Sequence, residues 1–152
     1  GNTLSVSAWI KTSNSAAEKA IVSKYGPSAS GYYLGVNPSN KIRWEKVATT
    51  GSLVDTTFSV TDGSWHNVLG VSDGNGMKIY IDGILRASNT DTSNYKLDTQ
   101  TLSIGKDLNG AAFFNGQIDD VQIFSYGLTA TQAKTLYNQG SAVRFGPLTG
   151  AP

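Results

Sequence analysis

The chain has 152 residues, 39% of them hydrophobic and 10% aromatic, which is enough to bury the core of one domain. Charged residues make up 15% and the net charge is +1, which argues against a nucleic-acid-binding protein, because such a protein carries a face rich in lysine and arginine. No apolar run approaches the ~18–20 residues that a membrane-spanning helix needs, so we expect no membrane insertion. The 17 glycines, 4 prolines and absence of cysteine are typical of short strands joined by turns, in a protein that suits any redox compartment.

Apolar and polar residues alternate along the first part of the chain with the period of β-strands. Val6, Ala8 and Ile10 predict a strand with one buried face over residues 4–10. The polar stretch 49–57 is expected to be a loop. Four further strands are predicted in this part, at residues 20–24, 32–36, 41–47 and 58–60.

Residues 65–87 predict three antiparallel strands in a meander. The first is apolar on both faces, and the second, at 77–82, alternates with period two. Turn clusters at 73–76 and 82–83 supply glycine, aspartate and asparagine, which tolerate positive φ. Both connections are short, so the three strands are expected to lie side by side in one sheet.

The last part of the chain predicts two strands and one helix. The strands are expected at residues 102–105 and 113–124, after a long polar loop at 88–100. The helix begins after Thr129, which with Gln132 forms a capping box, and Gly140 fits the residue that ends it.

Three of these stretches together resemble laminin-G-like domains, which are concanavalin A-like jelly rolls. They are the Trp-His hairpin that begins at Trp65, the motif F-x-G-x-I-D-D-V-x-I-F at 114–124, and the Leu-Tyr-Asn ending of the helix at 136–138. The resemblance covers residues 4–138 and keeps the order of the family. It implies that residues 1–140 form one domain, an all-β, antiparallel two-sheet jelly-roll sandwich with one short C-terminal helix. It also implies an extracellular module, secreted or on the cell surface, that binds glycans or proteins and is not an enzyme.

The acidic residues do not follow the pattern of a jelly-roll glucanase. Such an enzyme places two or three carboxylates two residues apart, on one face of one strand, to act as nucleophile and acid/base. None of the 11 acidic residues stands two positions from another. The one histidine, His66, is conceivable in a Ser-His-Asp site, but a strand histidine held by a neighbour is the simpler interpretation. We therefore predict a protein without catalytic residues.

A patch on the outer face of two neighbouring strands is a candidate for glycan binding. A sugar needs an aromatic surface for its C–H side and planar polar groups beside it. Tyr33, Arg43 and Glu45 fall on the non-core side of their strands, and Tyr25 and Tyr95 lie in loops that can rim the patch. The alternative is that Arg43 and Glu45 form a solvated ion pair and Tyr33 covers the sheet. The three tryptophans are expected in the core: Trp9, Trp44 and Trp65.

Calcium is the metal that the resemblance suggests, because such domains often bind it on the corresponding loop and strand. The candidate ligands are Asp107, Asn109, Asp119 and Asp120, whose oxygen atoms suit this ion. The alternative is that an aspartate of the Ile-Asp-Asp-Val motif holds a loop by accepting backbone N–H groups. No Cys/His metal spacing is present.

The tail at 141–152 lies beyond the part that resembles the family. Laminin-G-like domains usually open with a strand beside the closing strand, and this sequence starts after it. Ala142, Val143, Arg144, Phe145 and Gly146 follow the pattern of that strand. The tail is expected to be a linker, or to fill the gap in its own sheet or in a neighbour's sheet. The last case predicts self-association into a homopolymer, as a structural subunit of an extracellular filament.

The sequence begins with glycine rather than with methionine. We therefore expect a processed product or a piece of a longer protein.

Overall fold

The computed structural model describes residues 3–13, 17–26, 30–47, 51–95, 99, 101–107 and 111–142. Across these residues, ten strands precede one helix, α1 (Ala130–Ala142). The strands are β1 (Leu4–Ser13), β2 (Lys19–Gly26), β3 (Ser30–Val36), β4 (Lys41–Val47), β5 (Ser52–Ser59), β6 (Asp62–Asp73), β7 (Gly76–Ile81), β8 (Ile84–Asn89), β9 (Ser103–Ile104) and β10 (Gly116–Phe124).

The strands form two antiparallel sheets of five strands each. The first sheet has the order β10-β1-β6-β7-β8, and the second has the order β5-β4-β3-β2-β9. The predicted meander is β6, β7 and β8, which are neighbours in the first sheet. The antiparallel two-sheet sandwich with a short C-terminal helix, predicted from the sequence, is confirmed.

The core lies between the two sheets and is built by the side chains that alternate inward. Val6, Ala8 and Ile10 of β1 are fully buried there, as predicted. Trp44 crosses the core from the second sheet, and its ring packs so closely on Gly70 of the first sheet that a Cβ there would lie 2.5 Å from a ring carbon. The Trp44 Nε1–H also donates a hydrogen bond of 3.1 Å to Ser72 Oγ. One side chain therefore joins the two sheets by shape and by a polar contact.

Helix α1 covers part of the outer face of the first sheet. Leu69 and Tyr80 of that face pack with Leu128 and Ala133 in a second, smaller core. This is why β6 is apolar on both faces, as the sequence indicates. The helix is neither long nor apolar enough to cross a membrane.

The start of α1 follows the prediction, whereas its end does not. The Gln132 N–H donates to Thr129 Oγ1 at 3.2 Å and the Thr129 N–H donates to Gln132 Oε1 at 2.9 Å, which is the predicted capping box. Gly140 does not end the helix, which continues to Ala142. A glycine inside a helix costs only about 1 kcal/mol, so its presence alone does not force a stop. Ala142, the first residue of the predicted complementing strand, is thus helical, and 143–146 lie outside the described residues.

Two further expectations about the elements are corrected. Strand β5 occupies most of the stretch predicted as a loop at 49–57. The buried Thr56 explains this, because its hydroxyl accepts the Ile42 N–H at 3.1 Å and donates to the Phe58 carbonyl at 2.8 Å, so a polar residue fills a core position. Trp65 is 41% exposed rather than buried, because it lies on the outer face of β6 opposite Lys11.

The other two tryptophans differ in burial. Trp44 is fully buried, as predicted. Trp9 is half-buried on the outer face of the first sheet and stacks on Tyr137 of α1, with ring centroids 5.7 Å apart. It therefore packs between sheet and helix rather than between the two sheets.

Candidate functional site

The outer face of the second sheet brings together the side chains predicted as a patch. On β3, Tyr33 and Gly35 point away from the core, between the inward-facing positions of the strand. Tyr33 lies opposite Glu45 of β4 and opposite Ser23 of β2, and Gly35 lies opposite Arg43. The antiparallel register alone therefore makes Tyr33, Arg43 and Glu45 neighbours.

These side chains line a cavity of about 250 Å³ on that face. Its walls include four of the five residues predicted for glycan binding and one residue predicted for calcium. Two more wall residues were not singled out from the sequence. The lining residues are Glu18, Tyr25, Tyr33, Arg43, Glu45, Asp107 and Ala112.

The far wall of the cavity, formed by Asp107 and Ala112 of the loop before β10, is held by hydrogen bonds. The Ala20 N–H donates to the Ala112 carbonyl at 3.0 Å, which fixes the loop on the start of β2. Asp107 Oδ1 accepts the N–H groups of Ala111 at 2.8 Å and Ala112 at 3.3 Å. No strand pattern points to Glu18 or Ala112, because tertiary contacts bring them to the site.

Tyr33 forms the floor of the cavity. Its ring lies along the strand over Gly35, where a Cβ would stand 2.3 Å from the Tyr33 hydroxyl oxygen. Tyr33 is only 4% exposed, and its buried hydroxyl has no hydrogen-bond partner among the described residues. Burial raises the pKa of this phenol well above its usual range, so the hydroxyl stays neutral and able to donate. A buried polar atom without a partner is uncommon, so this hydroxyl is a candidate contact for a ligand.

Arg43 is fixed by carboxylates other than the predicted one. Its Nε and Nη2 donate to the two carboxylate oxygens of Asp55 at 2.9 and 2.8 Å, and its Nη1 lies 3.5 Å from Glu18. The hydrogen bonds to Asp55 raise the pKa of Arg43, although burial opposes them. Arg43 therefore pairs with Asp55 and Glu18 rather than with Glu45. The fork formed by its Nε and Nη2 groups is already occupied by Asp55.

Glu45 is the carboxylate of the cavity that remains unsatisfied. Glu45 is half-buried, and its carboxylate forms no hydrogen bond and no ion pair within the described part of the chain. Burial raises the pKa of Glu45, and the positive charge of Arg43 only partly opposes this. With Tyr33, the cavity thus offers one hydroxyl and one carboxylate that a ligand can satisfy.

Tyr95 lies elsewhere, and its predicted place at the rim of the patch is corrected. It is 9% exposed and belongs to the core between the sheets, where its ring meets Tyr32 edge-on at 6.3 Å. The buried Lys46 ammonium donates to the carbonyls of Asp91 and Ser93, both at 2.8 Å, and lies 5.9 Å from the Tyr95 ring. Residues 91–95 therefore pack on the core face of the second sheet, on the side opposite the cavity.

The predicted calcium ligands that the structure describes do not form one cluster. Asp107 lines the cavity, whereas Asp119 and Asp120 lie on β10 of the other sheet. Asp119 Oδ1 accepts the Asp120 N–H at 2.8 Å and Asp120 Oδ1 accepts Gln122 Nε2 at 2.9 Å. Asn109 is outside the described residues. Among those residues, no group of three or more His, Cys, Asp or Glu side chains can hold a metal ion, so calcium stays a prediction.

His66 is held between two aspartates. Its Nδ1 lies 2.8 Å from Asp82 Oδ2 and its Nε2 lies 3.2 Å from Asp62 Oδ1, while Asp82 Oδ1 accepts the Asn67 N–H at 2.9 Å. These contacts agree with the simpler interpretation of His66 as a strand histidine satisfied by neighbours. Burial alone would lower its pKa, but the hydrogen bonds to Asp82 and Asp62 outweigh burial and raise the pKa.

The raised pKa of His66 predicts a pH dependence of stability. A group whose pKa is higher in the folded state stabilises the fold below its unfolded pKa, about 6.5 for histidine, and this contribution is lost as the pH rises through the folded pKa. We expect His66→Gln to lower the free energy of unfolding more at about pH 5.5 than at about pH 8.5. Urea titrations of both proteins at both pH values measure this. A difference that stays constant or grows with pH would show that His66 is not charged in the fold.

The two antiparallel sheets of five strands are consistent with a jelly-roll sandwich, and a polar cavity lies on the outer face of one of them. The chain belongs to the concanavalin A-like lectin/glucanase superfamily, because residues 1–134 match the Laminin_G_3 model of that superfamily. The family and the fold expected from the resemblance are thereby confirmed. No curated protein matches the chain.

Solved structures with the same fold include binding domains of toxins. A mutant of HCR/D has a TM-score of 0.71 at 26% identity, with 94% of this chain and 39% of that chain covered. The receptor-binding domain of botulinum neurotoxin mosaic serotype C/D has a TM-score of 0.68 at 24% identity, with 91% and 36% covered. The binding domain of Paraclostridial Mosquitocidal Protein 1 has a TM-score of 0.72 at 12% identity, with 91% and 37% covered. The chain thus spans less than two fifths of the length of these structures.

Proposed function

We propose that this chain is a non-catalytic carbohydrate-binding module, part of a secreted or cell-surface protein, and that the cavity around Tyr33 is its binding site. The observation that carries the proposal is the buried Tyr33 hydroxyl, which has no partner among the described residues and lines a polar cavity. Leaving such a group unsatisfied costs about 1–3 kcal/mol, which a hydroxyl-rich ligand recovers when it binds. The similarity to toxin domains named as binding domains supports a binding role.

The cavity has the size and the surfaces that one sugar ring requires. Its volume of about 250 Å³ is just below the ~300–1,000 Å³ of sites for drug-sized ligands, so it suits a single ring rather than an extended chain. Tyr25 stands half-buried at the wall and offers an aromatic face to the C–H side of a sugar. Glu45 and the Tyr33 hydroxyl are then the polar partners of the sugar's hydroxyl groups.

A glycan array, with and without calcium, tests this proposal, followed by calorimetric titration of the tightest glycan. We expect Glu45→Gln to weaken binding about 10-fold or more, since a hydrogen bond to a charged group contributes about 1.5–3 kcal/mol. We expect a similar loss for Tyr25→Ala, because it removes the aromatic face that packs on the sugar. Tyr126→Ala and Asp120→Asn are matched controls, because both residues are exposed and lie away from the cavity, and we expect them to change affinity less than twofold. Asparagine also tolerates the φ of 46° at position 120.

Two results would contradict the proposal. One is the absence of binding to every glycan, with calcium and without it. The other is release of new reducing ends from a bound glycan, which would make the domain a hydrolase rather than a binding module.

A second candidate function, self-assembly, is favoured by the position of β10. This strand of nine residues lies at the edge of its sheet and, in the described part of the chain, pairs with β1 alone. A long edge strand presents N–H and C=O groups to which another strand can add. We propose residues 143–146 as the donor and a second copy of the chain as the acceptor.

Light scattering distinguishes self-assembly from a monomer. We expect the full chain to form species larger than a monomer, and a chain truncated after Ala142, which keeps α1, to be monomeric. A full chain that stays monomeric at high concentration would exclude the donor strand.

A further inference from the structure

The cavity carries an excess of negative charge. One guanidinium, that of Arg43, faces three carboxylates in the lining and a fourth on the neighbouring strand. Its charge is taken up by Asp55 at 2.8 Å and by Glu18 at 3.5 Å. Glu45 and Asp107 then have no cationic partner among the described residues, and no lysine is among the lining residues.

The two tyrosines of the cavity lie within the field of these carboxylates. Burial is the main reason why the pKa of Tyr25 is raised, and the charges of Glu45, Glu18 and Asp107 raise it further. Burial is also the main reason why the pKa of Tyr33 is raised, and the same three carboxylates raise it further while the charge of Arg43 opposes them. A low-dielectric recess lined by one sign of charge concentrates its potential, and the face of an aromatic ring also attracts cations.

A cationic group matches the negative charge and the free lone pairs of this site. An ammonium donates three hydrogen bonds, which suits the half-buried carboxylate of Glu45 and the lone pairs of the Tyr33 hydroxyl, itself 4% exposed and without a partner. An anionic ligand would have to displace Asp55 from the fork of Arg43 while facing Glu45 and Asp107. A neutral hydroxyl can pair with Glu45 but leaves its charge uncompensated.

We infer that the sugar this cavity accepts is an amino sugar with a free amine, held by Glu45, Tyr33 and Tyr25. The inference rests on the proposed function, since it names the class of glycan that the same cavity recognises. The ring-sized volume and the tyrosine walls favour an amino sugar over the flexible side chain of a basic peptide. The N-acetylated form of the same sugar removes the charge and adds bulk, so the cavity is expected to discriminate against it.

Three hexasaccharides with the same β-1,4 linkage test the inference: one of glucosamine, one of N-acetylglucosamine and one of glucose. Calorimetric titrations at about pH 6 are expected to give at least 10-fold tighter binding of the glucosamine hexamer than of the two neutral hexamers, because a bound ammonium favours the charged form of Glu45 against the burial that raises its pKa. We expect Glu45→Gln to weaken binding of the glucosamine hexamer at least 10-fold more than it weakens binding of the glucose hexamer, which removes most of this preference. Asp120→Asn, a carboxylate change on the other sheet, is expected to leave the preference intact.

The outcomes separate this inference from the proposed function. Equal or tighter binding of a neutral hexamer overturns the amine preference and leaves a carbohydrate-binding module. Failure of all three hexamers overturns it as well, and the glycan array then decides the proposed function. A pentalysine peptide that binds as tightly as the glucosamine hexamer, with no loss in Tyr25→Ala, would mean that charge alone drives binding, which also overturns the inference.

Discussion

Replacing Trp44 by alanine is expected to lower the free energy of unfolding by about 3–5 kcal/mol, the largest effect of any single substitution proposed for this chain. The side chain is fully buried, so its removal leaves a cavity between the sheets. The ring fills the space that Gly70 leaves on the opposite sheet, and its removal also breaks the hydrogen bond from Nε1–H to Ser72 Oγ. Urea unfolding followed by far-ultraviolet circular dichroism measures the change.

Trp65→Ala is the matched control for this prediction. Trp65 is 41% exposed on the outer face of β6, so the same change is expected to cost less than about 1 kcal/mol. Equal losses in the two variants would contradict the assignment of Trp44, and not Trp65, to the core between the sheets.

Gly35→Ala is expected to weaken ligand binding strongly through a single added methyl group. The new Cβ would lie 2.3 Å from the Tyr33 hydroxyl oxygen, far inside van der Waals contact, so the ring must leave the floor of the cavity. The φ of Gly35 is not positive, and the backbone itself therefore accepts alanine. We expect at least a 10-fold loss of glycan affinity and a loss of about 1–3 kcal/mol of stability from overpacking.

Two further variants separate displacement of the ring from a general effect of mutating glycine. Gly74→Ala adds a methyl group in open space and is expected to keep affinity and stability. In the double variant Gly35→Ala/Tyr33→Ala the clash is absent, so the cost of Gly35→Ala should largely vanish when it is measured in the Tyr33→Ala background. If the two costs simply add, the ring does not lie over Gly35.

Period-two alternation predicts most of the strands and three of the seven residues that line the cavity. Tyr33, Arg43 and Glu45 lie on one face because neighbouring antiparallel strands with inward-facing Leu34 and Trp44 must place them there. The partner of Arg43 was missed for a traceable reason. Asp55 lies directly opposite Arg43, but on β5, which the sequence does not reveal as a strand because the polar Thr56 occupies a buried position.

Other features depend on contacts between residues far apart in sequence, and no local pattern contains them. Ala112 reaches the cavity only because the loop before β10 bonds to Ala20. Tyr95 looks like a loop aromatic free to rim a site, but the Lys46 ammonium binds its loop from the core side of the sheet. Trp65 lies on the outer face of β6 because side chains alternate along the strand, and α1 leaves this part of the sheet uncovered.

The central claim, that the cavity on the outer face of the second sheet is the binding site, is tested most directly by mapping backbone amide chemical shifts during titration with the tightest glycan from the array. We predict that the largest shifts occur on β2, β3 and β4 around Tyr25, Tyr33 and Glu45, and that Glu45→Gln reduces them. Shifts concentrated on the first sheet or along β10 would contradict the claim and place the binding surface elsewhere on the domain.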